Sequence, residues 1–195
     1  MISHKHKFIF IHINKTGGTS IETAFSGHEV ERRNPSKHAN AIEYRNKFGD
    51  KFLEYFKFAF VRNPWSWLVS RYFWCKDDKR YYEYVRSSFK NLIYSVRDDK
   101  NISPGRWFNR TVLPQHGKIS DESGTQLVDF VGRFENLQGD FNFACDKIGI
   151  PHRKLPHKNK TKHKHYTEYY DEETKQIVAE KYAKDIEMFG YEFEE

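Results

Sequence analysis

The chain is poor in cysteine and methionine, with two of each among 195 residues, and it has no long apolar run. Two cysteines exclude a disulfide-stapled scaffold. Cys75 and Cys145 lie on segments with helical patterns and lack metal-ligand spacing, which predicts reduced thiols in an intracellular protein. The longest continuous apolar stretch, Phe8 to Ile13, is broken by His12. It falls far short of the roughly 20 residues that span a bilayer and has no small-residue cleavage pattern after it. The expectation is a soluble, cytoplasmic protein without a membrane span.

Aromatics and positive charge are abundant instead. Phe and Tyr number 17 and 12, so rings supply much of the buried area, and the length suits one domain over residues 1–195 with a core of its own. A formal net charge of +6 favours anionic partners as a class. The basic loop PHRKLPHKNKTKHKH, residues 151–165, has histidines at 157, 163 and 165, but lysines interleave them and no zinc spacing appears, so no metal site is expected.

Three runs read as strands: Phe8 to Ile13, Phe56 to Val61 and Leu127 to Val131. Each precedes polar residues and a helical pattern, the alternation of an α/β fold with a central parallel sheet flanked by helices. Asn63 and Pro64 form a helix start. Asp140 can cap a helix whose face is Phe141, Ala144, Cys145 and Ile148, stopped by Gly149. Val178, Tyr182, Ile186 and Phe189 predict one long last helix on the sheet, closed by Gly190. Residues 76–124 mix charge with aromatics and read as an irregular helical insertion on the acceptor side.

Two strand ends have the chemistry. After the first strand comes NKTGGTS: Lys15, Thr16, Gly17, Gly18, Thr19 and Ser20, a turn whose glycines permit a close backbone bend and whose hydroxyls and helix amides can donate to an anion. It departs from the nucleotide triphosphate loop GxxxxGK[ST], because Lys15 precedes the glycines. The second strand ends in Arg62 where a magnesium-dependent phosphotransferase wants a carboxylate. Arg62 with Ser70, two turns along the next helix, suits a dianionic phosphate. Two anion sites at the carboxyl ends of two parallel strands suit one ligand with phosphate at both ends.

NKTGGTS followed by FVRNPWSWLVSRY resembles the sulfotransferases that use 3'-phosphoadenosine 5'-phosphosulfate (PAPS), in the carbohydrate O-sulfotransferase branch of the heparan 2-O and chondroitin type. VGRFENLQGDF and YAKDIEMFGY extend the resemblance to about Tyr191. It implies a P-loop-like three-layer fold and sulfuryl transfer to an acceptor hydroxyl, such as that of a carbohydrate. Lys15 and the glycine turn would hold the 5'-phosphosulfate, and Arg62 and Ser70 the 3'-phosphate. Lys160 and Thr161 would be further 3'-phosphate contacts. His38, in SKHANAIEY, resembles the catalytic histidine of the heparan 2-O branch and would be the general base. His116 and Gln115 could face the acceptor. A P-loop nucleotide kinase or other phosphotransferase is the alternative reading, and a basic nucleic-acid-binding protein the third.

Overall fold

The computed structural model describes residues 1–78, 88–97, 112–156 and 163–194. The chain forms two compact units, Met1–Arg62 with Gln115–Asn159, and Asn63–Pro114 with Lys160–Glu195. Of the expected insertion at 76–124, residues 79–87 and 98–111 lie outside the described residues.

In the first unit a four-stranded sheet runs in the order β1 (Ile2–Ser3), β2 (Phe8–Ile11), β3 (Phe56–Val61), β4 (Phe130–Arg133). β1 is antiparallel to β2, while β2, β3 and β4 are mutually parallel, so this is an α/β fold with a mostly parallel sheet. The register sets Phe8 opposite Phe56 and Phe10 opposite Phe58. Side chains alternate along a strand, so the phenylalanines at even positions line one face. The Phe10 and Phe58 rings stack at 5.2 Å, and Phe8 meets Phe25 at 4.9 Å just after α1 (Gly18–Ala24). Phe141 closes the same cluster from α6 (Leu137–Ile148), its ring 5.6 Å from Phe25. Each such ring contributes roughly 1.5–3 kcal/mol by leaving water.

Three local readings are corrected here. β2 ends at Ile11, not Ile13, because the carbonyl of Ile13 accepts the Thr16 hydroxyl and begins the turn. β4 starts at Phe130, not Leu127: the Leu127 amide donates to the Ile119 carbonyl, outside the sheet. Asp129 ties the start of the strand to β3, its Oδ2 accepting from the Lys57 amide at 2.7 Å and pairing with Lys57 Nζ at 2.9 Å. That pair also explains how a lysine fits within a buried strand. Asp140 does not cap α6, which begins three residues earlier. Its carboxylate accepts from the Arg133 amide at 2.6 Å and from Asn136 Nδ2 at 2.9 Å, joining the helix to the end of β4. Gly149 does end α6, in the left-handed conformation. α2 (Ala41–Phe48) begins with a capping box in which Asn40 and Glu43 exchange hydrogen bonds at 2.8 Å, and α3 (Asp50–Glu54) leads into β3.

The second unit is helical among the described residues. α4 (Pro64–Asp77) starts as expected, with Asn63 Oδ1 accepting from the Trp65 and Ser66 amides and Pro64 in the first turn. Trp67, Leu68 and Cys75 of α4 pack with Leu92 and Ile93 of α5 (Phe89–Arg97) and Val178 of α7 (Glu172–Lys181). The expected single last helix is two, α7 and α8 (Ala183–Phe189). The Tyr182 backbone leaves helical values between them, with its ring buried and its hydroxyl donating to the Val112 carbonyl at 2.7 Å. These helices pack with others of their own unit. Gly190 is the left-handed stop. Cys75 and Cys145 are both free and buried. Among the described residues no helix is long and apolar enough to cross a membrane.

Candidate active site

The turn after β2 reverses the chain within four residues, Asn14 to Gly17. Lys15 sits in the left-handed region at φ 65 and Gly17 at φ 82. For lysine this conformation costs about 1–2 kcal/mol, so its surroundings must hold it there. One restraint is Thr16, wholly buried, whose hydroxyl donates to the Ile13 carbonyl at 2.8 Å. The amides of Ser20 and Ile21 then both donate to the Gly17 carbonyl, at 2.9 and 3.2 Å, and α1 begins. Thr19 is half-buried, its carbonyl accepting from the Thr23 hydroxyl, and Ser20 is buried.

The two glycines answer to packing as well as to the bend. A Cβ on Gly17 would stand 2.7 Å from Leu137 Cδ2 on α6. One on Gly18 would stand 2.3 Å from the His12 ring. The turn is therefore wedged between α6 and the residue that continues β2, and neither neighbour was apparent from the motif.

Arg62 follows β3 directly and is 9% exposed. Its backbone is fixed by Gln115, whose Oε1 accepts from the Arg62 amide at 2.9 Å and whose Nε2 donates to the Arg62 carbonyl at 2.7 Å. Gln115, expected to face an acceptor sugar, is thus buried and engaged with the backbone. The guanidinium lies over Phe134, 4.1 Å from the ring centroid, and Nη1 reaches the Lys15 carbonyl at 3.4 Å, a long hydrogen bond. The lysine-led turn and the strand-ending arginine are therefore immediate neighbours.

His38 lies on the loop before α2 with one side exposed. Its Nδ1 is 3.2 Å from the His12 carbonyl oxygen. A carbonyl can only accept, so Nδ1 carries the hydrogen and the lone pair is on Nε2. Partial burial, then the nearby His12, Lys37 and Lys118, push the His38 pKa down to about 4, so the ring is neutral at pH 7. Lys118 Nζ donates to the His38 carbonyl at 3.2 Å from a short 3-10 turn, His116–Lys118. His12 is buried, as expected of a core histidine, with Nδ1 2.7 Å from Glu22 Oε1 on α1. Burial lowers the His12 pKa against the opposing pull of Glu22. Burial raises that of Glu22, but the hydrogen bond and charge of His12, with Lys37, outweigh it and keep the carboxyl ionised.

Lys15, Thr16, Gly17, Gly18, Thr19, Ser20, His38 and Arg62 all belong to the first unit. Ser70 is buried in α4 of the second unit. Lys160 and Thr161 lie outside the described residues. Sequence reasoning missed Gln115 as the anchor of Arg62, Phe134 as its platform and Glu22 as the partner of His12. Phe134 follows VGR and Glu22 lies two residues after Ser20, a local sign for these two, whereas Gln115 is 53 residues from Arg62 and has none.

The chain is 32% identical to an uncharacterized protein of Archaeoglobus fulgidus over 109 residues, covering 55% of this chain and 79% of that protein. No solved structure matches it. The profile of the sulfotransferase family matches residues 1–192, and with that span nearly the whole chain belongs to the sulfotransferase family.

Proposed function

We propose that this protein transfers a sulfuryl group from PAPS to an acceptor hydroxyl of a carbohydrate. The observation that supports this most directly is the adjacency of Lys15 and Arg62, with Arg62 Nη1 3.4 Å from the Lys15 carbonyl. A cationic turn and a guanidinium at neighbouring strand ends are what a nucleotide with a phosphate at each extremity requires. The donor set fits that ligand: an ammonium, a planar guanidinium stacked on Phe134 from a backbone fixed by Gln115, and the hydroxyls of Thr19 and Ser20. Ser70, Lys160 and Thr161 are proposed as further contacts to the 3'-phosphate.

When bound, PAPS supplies an activated sulfuryl group whose bridging oxygen to the 5'-phosphate leaves as the acceptor oxygen bonds to sulfur. Lys15 supplies positive charge where negative charge grows on the departing oxygen. His38 takes the acceptor's proton on Nε2, the nitrogen left with a lone pair by the Nδ1 hydrogen bond to His12. The ring is neutral at pH 7 and so is ready to accept it.

Two measurements test the reading. Thermal stabilisation by 3'-phosphoadenosine 5'-phosphate should exceed that by ATP with magnesium. Equal or greater stabilisation by ATP would favour a phosphotransferase instead. Labelled sulfate from PAPS should then appear on a member of a panel of glycans and small hydroxyl compounds.

A further inference from the structure

Phe8, Phe10 and His12 alternate along one face, and the His12 ring stacks on that of Phe10 at 5.7 Å. Shape alone would be served by a third phenylalanine. Burying an imidazole against a carboxylate is expensive in an apolar setting and is weak grounds for stability. What His12 adds over phenylalanine is the Nδ1 hydrogen given to Glu22, at 2.7 Å. Glu22 Oε2 also pairs with Lys37 Nζ at 3.6 Å, and Lys37 immediately precedes His38. One carboxylate therefore holds both neighbours of His38, the ring beneath it and the residue before it. The His12 and His38 rings meet edge-to-face at 4.7 Å, and the His12 carbonyl accepts from His38 Nδ1 at 3.2 Å.

We propose that Glu22 and His12 are positioning residues for His38: Glu22 orients the His12 ring and the Lys37 segment, and together these hold the His38 imidazole in the tautomer that bears its lone pair on Nε2. The pair also connects the base to the donor turn, since the His12 ring occupies the space over Gly18. The catalytic meaning of this arrangement rests on the sulfuryl-transfer reading above. The ring geometry itself can be tested without any substrate.

The experiment compares wild type with Glu22→Gln, which keeps shape and an acceptor oxygen, and Glu22→Ala, which keeps neither. Nitrogen-15 spectra of the imidazoles at pH 7 should show His38 as a single Nδ1-hydrogen tautomer in the wild type. A mixture is expected in Glu22→Ala and an intermediate ratio in Glu22→Gln. Turnover should fall roughly 10- to 100-fold in Glu22→Ala, the loss seen when the partner that orients a metal-bound histidine is removed, while affinity for 3'-phosphoadenosine 5'-phosphate stays within about twofold. A folded Glu22 variant whose His38 signals match the wild type overturns the proposal. Wild-type protein that gives the expected spectra but transfers no sulfate overturns the sulfuryl-transfer reading and leaves the coupling of the rings standing.

Discussion

The guanidinium of Arg62 stacks on the ring of Phe134 at 4.1 Å while Gln115 clamps the same residue's backbone from both sides. Orientation is thus imposed on Arg62 before any ligand arrives, and preorganised charge binds an anion more tightly than mobile charge. Arg62→Ala should weaken binding of 3'-phosphoadenosine 5'-phosphate by about 1.5–3 kcal/mol, the range for hydrogen bonds to charged groups. Arg62→Lys should recover little of this, since an ammonium has neither the planar face nor the fork. Phe134→Leu should cost about 0.5–2 kcal/mol of the same affinity through the lost stacking. Calorimetric titration of the three variants gives the ranking, and a lysine variant that binds like wild type would refute the orientation argument.

Lys15 combines a strained backbone with an expected role in the chemical step. Lys15→Gly relieves the left-handed penalty but loosens the unfolded chain, so stability should stay within about 1 kcal/mol of wild type. Turnover should nevertheless fall by roughly 100- to 1000-fold, the usual loss when a charge-stabilising donor is removed. Denaturant melts set beside sulfate-transfer rates separate the two effects. A variant as active as wild type would remove Lys15 from the chemistry.

Gly18 illustrates a requirement that the motif only half discloses. A methyl group there would stand 2.3 Å from the His12 ring, so Gly18→Ala should destabilise the fold by about 1–3 kcal/mol through overpacking. In a His12→Ala background the same change should cost much less, and a double-mutant cycle should give a coupling of about 1 kcal/mol or more. Additive effects would mean that the ring does not set the glycine's identity.

Local signals are legible in the sequence, and distant ones are not. β3 was legible to its last residue because a strand buried on both faces is a continuous apolar run, and the starts and stops at Asn63, Gly149 and Gly190 follow from backbone chemistry within one turn. The boundary errors occur where a distant or competing partner intervenes. Asp140 serves the Arg133 amide instead of capping α6, and Tyr182 interrupts an unbroken apolar period while its hydroxyl serves the Val112 carbonyl, 70 residues away in sequence. The site divides the same way. Lys15 and Arg62 were recognisable as charges at strand ends, but Gln115 is 53 residues from Arg62 and nothing in either local pattern announces their pairing.

The depressed pKa of His38 fixes the sign of two pH effects. Burial and the charges of His12, Lys37 and Lys118 hold it at about 4, below the roughly 6.5 of an exposed histidine. Between these values the unfolded chain binds more protons than the folded one, so His38 makes stability fall as pH drops from about 6.5 towards 4. His12, also lowered by burial, acts in the same direction, and so does Glu22, whose lowered pKa gives stability that is lost on acidification. His38→Ala should therefore flatten part of the acid decline in denaturant midpoints, whereas at pH 8 it should cost only the roughly 0.5–1.5 kcal/mol of the lost hydrogen bond to the His12 carbonyl. For the reaction, the acid limb of kcat/KM reports the free enzyme's base, so the rate should hold through pH 6 and decline only well below the ordinary histidine range. An inflection near 6.5 would mean that the group titrating in the rate is not His38 in the environment described here.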